Sequence, residues 1–110
     1  MNKNPITKVI FRKFRDGDII ALFPEEISEP TPYYCSSYAH VGQHGAADPV
    51  LVISMTKPAS PAEYADLKRE LENYGPKDAN YNLKVISRNH PKYLEMRKKE
   101  IKKLYKDKNS

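Results

Sequence analysis

Residues 8–23, KVIFRKFRDGDIIALF, set two runs of β-branched and aromatic residues on either side of Asp16-Gly17. That pair tolerates the positive φ angles of a tight hairpin turn, so the segment predicts two paired strands. A two-residue type I′ loop would place Phe14 opposite Ile19 and Ile10 opposite Phe23 on one face, with Phe11 opposite Leu22 and Lys13 opposite Ile20 on the other. Both faces are largely apolar, which requires the hairpin to be central in a sheet or covered on both sides. Arg12 is the exception: it reads as an ordinary edge charge whose stem packs while its head reaches water, in preference to the alternative of a group aimed into a site.

The remaining elements are read from period and punctuation. Pro24 ends the hairpin, and Glu25, Glu26, Ser28, Glu29, Pro30 and Pro32 predict an acidic, exposed loop. Tyr33 to Val41 alternates as a third strand, with Cys35, Ser37, Ala39 and Val41 on one face and Tyr34, Ser36, Tyr38 and His40 on the other. A turn-rich stretch over 42–49 leads to a fourth strand over Val50 to Thr56. Ser60-Pro61-Ala62-Glu63 has an N-cap serine, a proline at the first helical position and a capping-box glutamate. The stripe Tyr64, Leu67, Leu71 and Tyr74 then predicts a helix over 61–74, closed by Gly75-Pro76. LKVISR at 83–88 suits a fifth strand, and from Pro91 a helix with the thin apolar stripe Tyr93, Met96, Ile101 and Leu104 is expected to be partly detached and to fray beyond Lys106.

These elements predict an α+β fold: an antiparallel sheet of four to five strands, one helix packed on a face, and a basic C-terminal helix. At 110 residues the chain suits one compact domain over 1–90, with 91–110 as a helical extension. No apolar run approaches the roughly 18 residues of a membrane span, and the N-terminus lacks a signal-peptide core, so a cytoplasmic protein without a membrane partner is expected. The single Cys35 excludes an intramolecular disulfide and an all-Cys zinc site, while mixed Cys/His sites survive.

Charge is unevenly placed. Residues 84–110 hold ten Lys/Arg against three acidic groups, a net +7, whereas residues 1–83 hold nine against eleven, a net −2. The asymmetry points to an anionic partner, nucleic acid or an acidic protein, contacted by Arg88, Lys92, Arg97, Lys98, Lys99, Lys102, Lys103 and Lys106, with Tyr93 and Tyr105 interleaved. A solvated tail that only aids solubility is the bland alternative. Lysine-rich surfaces make salt-sensitive, sequence-blind phosphate contacts, and the motifs of RRM and KH domains are missing.

A second candidate site lies over Tyr33 to Asp48. Tyr38, His40, Gln43, His44 and Asp48 offer donors, a stacking surface and glycine-flanked backbone that suit a nucleotide, an anion or a metal, with Cys35 a further zinc-competent group. The glycines at 42 and 45 also fit a tight connection whose polar groups satisfy one another. A Cys/His hydrolase would need Cys35 within reach of an imidazole, yet Cys35 and His40 fall on opposite pleats. No Walker loop, Gly-x-Ser-x-Gly or His-Glu-x-x-His is present, so no catalytic residue, metal or cofactor is assigned.

Three stretches, VIFRKFRDGDIIALFP (9–24), SYAHVGQHGAAD (37–48) and TKPASPAEYADLKRELENYG (56–75), resemble a family of small uncharacterised proteins of phages and mobile elements of gut bacteria. The similarity covers roughly residues 8–88. It implies a mobile-element setting in a host cytoplasm and a shared compact fold, and it transfers no catalytic or ligand residue. The expectation is a small non-enzymatic binding protein of phage or mobile-element origin; the alternative is a nucleotide- or metal-binding protein that uses the His40–Asp48 turn, with counteraction of a host defence as its setting.

Overall fold

A computed structural model describes residues 6–27, 34–39, 43–74, 81–88 and 90–109 of the chain. Its elements are β1 (Ile6–Lys13), β2 (Ile19–Ile27), β3 (Cys35–Ala39), β4 (Gln43–Ala47), α1 (Pro49–Met55), β5 (Lys57–Pro58), α2 (Pro61–Tyr74), β6 (Asn82–Val85) and α3 (His90–Asn109). The fold is α+β, with the strands in the order β4-β3-β2-β1-β5 and β6 also on β1. Neighbours along that path are antiparallel, and β6 alone runs parallel to its partner.

The hairpin forms, one register step away from the expected pairing. Ile10 faces Leu22, Phe11 faces Ala21 and Arg12 faces Ile20. The Gly17 N–H donates to the Phe14 carbonyl at 2.9 Å and the Phe14 N–H to the Asp18 carbonyl at 2.8 Å, with Gly17 at φ 101°. This is a type I turn followed by a left-handed glycine, a three-residue loop rather than the two-residue one. The Asp16 carboxylate accepts from the Asp18 N–H and holds the turn from outside.

Because strand side chains alternate, the central hairpin divides two cores. On one face Val9, Phe11, Ala21, Phe23 and Tyr38 bury against Leu67 and Leu71 of α2. The Phe11 and Tyr64 rings stack there at 4.3 Å between centroids. On the other face Ile10, Leu22 and Cys35 bury against Ile53 of α1 and Tyr93 of α3. Full burial of side chains such as Leu22 and Leu71 contributes about 1.5–3 kcal/mol each. The molecule is thus three layers, α2 on the sheet and α1 with α3 beneath it.

Helix α2 occupies the expected span. The Glu63 N–H donates to the Ser60 hydroxyl at 3.3 Å and the Ser60 N–H to the Glu63 carboxylate at 2.9 Å, closing the capping box. Lys13 pairs with the same carboxylate and ties the helix start to β1.

Four expectations are corrected. The stretch Val50 to Thr56 is helical over Pro49–Met55, because the Asp48 side chain accepts from the N–H groups of Val50 and Leu51 and Pro49 presets the first turn. Residues 43–47 are a strand rather than a turn, held by their ladder with β3. Strand β2 runs through Pro24 to Ile27, with a register shift after Phe23 that accommodates the missing proline N–H. Arg12 is 4% exposed instead of snorkelling: its Nη2 donates to the carbonyls of Ile53, at 3.0 Å, and Thr56, at 2.6 Å, and its Nε to the Thr56 hydroxyl at 2.9 Å. Here a buried cation meets carbonyls left open at the end of α1.

Candidate nucleic-acid interface

Helix α3 is clamped to the sheet by an arginine as much as by apolar residues. Tyr93, Arg97 and Ile101 recur every fourth residue and are buried. The Arg97 guanidinium is fully enclosed; Nη1 donates to the Pro24 carbonyl at 2.6 Å and Nη2 to the Tyr34 carbonyl at 3.2 Å. The chain at the Pro24 shift thus supplies acceptors to the helix. Arg97 also bonds Glu100 one turn on, at 3.2 Å.

Glu100 gathers the local donors. One carboxylate oxygen receives Arg97 and the Tyr93 hydroxyl, the latter at 3.0 Å, and the other receives both Nε and Nη2 of Arg88 at 3.2 and 2.9 Å. Burial first, and then the charge of Glu100, push the Tyr93 phenol well above its ordinary range, so it stays a donor. The Arg88 guanidinium lies over the Tyr93 ring, 5.9 Å from its centroid.

This clamp changes the expected contact set. Arg97 belongs to the interior and does not reach a phosphate, and Arg88 is committed to Glu100. The expected detachment of the helix does not hold over its first turns, since Tyr93 and Arg97 have no exposed surface. The expected stripe also turns: Met96 is 40% exposed and Arg97 takes the inward place. What remains outward is a ridge of Lys92, Lys98, Lys99, Lys102 and Lys103 with Glu95 alone of opposite sign among the described exposed residues. Glu95 pairs loosely with Lys98 at 3.5 Å. The Lys106 side chain lies outside the described residues.

Beside the ridge is a cleft of about 330 Å³ that sequence reading did not anticipate. Met96 and Leu104 give it an apolar floor, and Lys8, Glu25, Arg88, Lys99, Glu100 and Lys103 its polar walls. Glu25 is occupied by Lys8 at 3.4 Å. Among the described residues Lys99 and Lys103 make no ion pair. Helical spacing hinted at one wall, since 96, 99, 100, 103 and 104 share a side; nothing local joins them to Lys8 and Glu25.

The second candidate site is only partly placed. Tyr38 lies in the α2-facing core and its hydroxyl bonds Glu70, while Asp48 caps α1, which packs on the opposite face. Gln43 and His44 are placed as backbone in β4, opposite Ala39 and Tyr38, and His40 lies outside the described residues. Cys35 is fully buried, and desolvation pushes its thiol up to about 12 against the pull of Arg97, so it is protonated and inert at neutral pH. No group of three His, Cys, Asp or Glu able to hold a metal ion occurs among the described residues. No described helix is long and apolar enough to cross a membrane.

Compared with protein-family models, curated proteins and solved structures, the chain matches none of them.

Proposed function

We propose that the protein binds nucleic acid through the outward face of α3, contacting the phosphate backbone with Lys92, Lys98, Lys99, Lys102 and Lys103. The observation that carries this reading is the division of labour on the helix. Tyr93, Arg97 and Ile101 hold it against the sheet, so the lysines are displayed from a fixed rod instead of a loose tail. A fixed spacing of cations loses less conformational entropy on binding than a frayed one. Ammonium groups act as point charges without base-reading geometry, so the contact is sequence-tolerant and strongly salt-dependent.

Charge neutralisation is the appropriate test, because deleting the helix would also strip Tyr93, Arg97 and Ile101 from the second core. Fluorescence anisotropy with labelled DNA and RNA is measured across a salt series for the full chain and for the triple variant Lys99→Gln, Lys102→Gln, Lys103→Gln. The wild type is expected to bind with a steep negative salt slope, and the variant slope to be shallower by about 2–3, near one per lost phosphate contact. Equal affinity and slope in the two proteins would remove the ridge from the reading. Binding of acidic protein in place of both nucleic acids would assign the face to the other partner class.

A further inference from the structure

Resting on that reading, we infer that the interface takes single-stranded nucleic acid, with the cleft beside the ridge receiving an unstacked base. A lysine ridge alone favours duplex, which offers more phosphate charge per length than a single strand. The cleft alters this comparison because it offers something only an unpaired base can use.

Its composition fits a base better than a phosphate. Its lining includes the apolar Met96 and Leu104, while Glu25 and Glu100 on the walls are already paired, with Lys8 and with Arg88 and Arg97. The guanidinium of Arg88 is held in place by two bonds to one Glu100 oxygen and lies over the Tyr93 ring. A guanidinium plane fixed in this way is a stacking surface for a base. The volume of about 330 Å³ falls within the usual range for small-ligand pockets. Lys99 and Lys103, one helical turn apart at the rim, are placed for the phosphates on either side of the inserted nucleotide.

The test compares a short single strand with the duplex of the same sequence, using the full chain and Met96→Asn. Met96 is partly exposed, so the substitution changes the floor without opening the core or altering the charge. The wild type is expected to bind the single strand at least about fivefold tighter, the low end for one stacked base. Met96→Asn should abolish that preference and leave duplex affinity unchanged. A 2-aminopurine in the strand should change its fluorescence on binding to the wild type and less with the variant. Duplex binding equal to or tighter than single-strand binding would overturn this inference while leaving the phosphate-binding ridge standing. A protein that binds neither form would overturn both.

Discussion

The Arg97 guanidinium donates to the Pro24 carbonyl across 2.6 Å, joining the middle of the last helix to the point where β2 shifts register. The bond explains how a helix with so narrow an apolar stripe holds its place. A charged group enclosed by protein is tolerable only when its donors are met, and here two carbonyls and a carboxylate meet them. Arg97→Ala should therefore cost about 3–5 kcal/mol, as removal of one partner from a buried ion pair does. Urea unfolding measures it. In the same assay Lys99→Ala, on the outward face, should stay within about 0.5 kcal/mol of wild type. Equal small effects would mean that Arg97 does not clamp the helix.

Arg12 plays a comparable part at the end of α1. Its planar fork reaches the carbonyls of Ile53 and Thr56 together with the Thr56 hydroxyl, and its Nη1 reaches the Arg88 carbonyl at 3.4 Å. Lysine keeps the charge and cannot reproduce the fork. Arg12→Lys should cost about 1.5–3 kcal/mol, the value of a hydrogen bond from a charged donor. Hydrogen exchange should show the loss concentrated in α1. A loss spread evenly over the sheet would contradict the capping role.

Where several local signals agreed, the sequence was readable. Ser60, Pro61, Glu63 and the stripe through Leu71 all indicated one helix, and α2 occupies that span. Asp48-Pro49 has the same grammar, yet the β-branched run after it, Val50 to Ile53, favoured a strand; the cap and the contact with α3 decide for a helix. Asp16-Gly17 is compatible with two loop lengths, and the choice between them shifts the pairing by one residue. The sequence places Arg97 in the outward contact set because a periodicity of apolar residues has no place for an inward cation. Its acceptors, Pro24 and Tyr34, are distant in sequence.

Acid should act on two glutamates in opposite directions. The hydrogen bond from Lys13, followed by that from the Ser60 N–H, lowers the Glu63 carboxyl from its ordinary 4.5 to about 2. A group depressed on folding stabilises the fold above its unfolded value, so this contribution is complete above pH 4.5 and disappears as pH falls toward 2. Burial raises Glu26 despite its bond to Ser36, so its ionisation opposes folding at neutral pH. Glu26→Gln should accordingly raise Tm at pH 7, with the gain closing in acid as the wild-type carboxyl protonates. A Glu63 midpoint near 4.5 in an NMR titration would show that the Lys13 contact is not maintained in solution.

Cys35 reports on the second core because it is sealed by β2, α1 and α3 and has no accessible surface. Desolvation holds its thiol near 12, so at pH 8 almost none is the reactive thiolate even before access is considered. Ellman's reagent should leave the native protein unmodified and react completely in urea. At low urea the rate should follow the population opened by unfolding, and Arg97→Ala should accelerate it in parallel with its loss of stability. Rapid labelling of the native wild type would instead mean that α3 lifts off the sheet without global unfolding, and that the lysine ridge is not displayed from a fixed support.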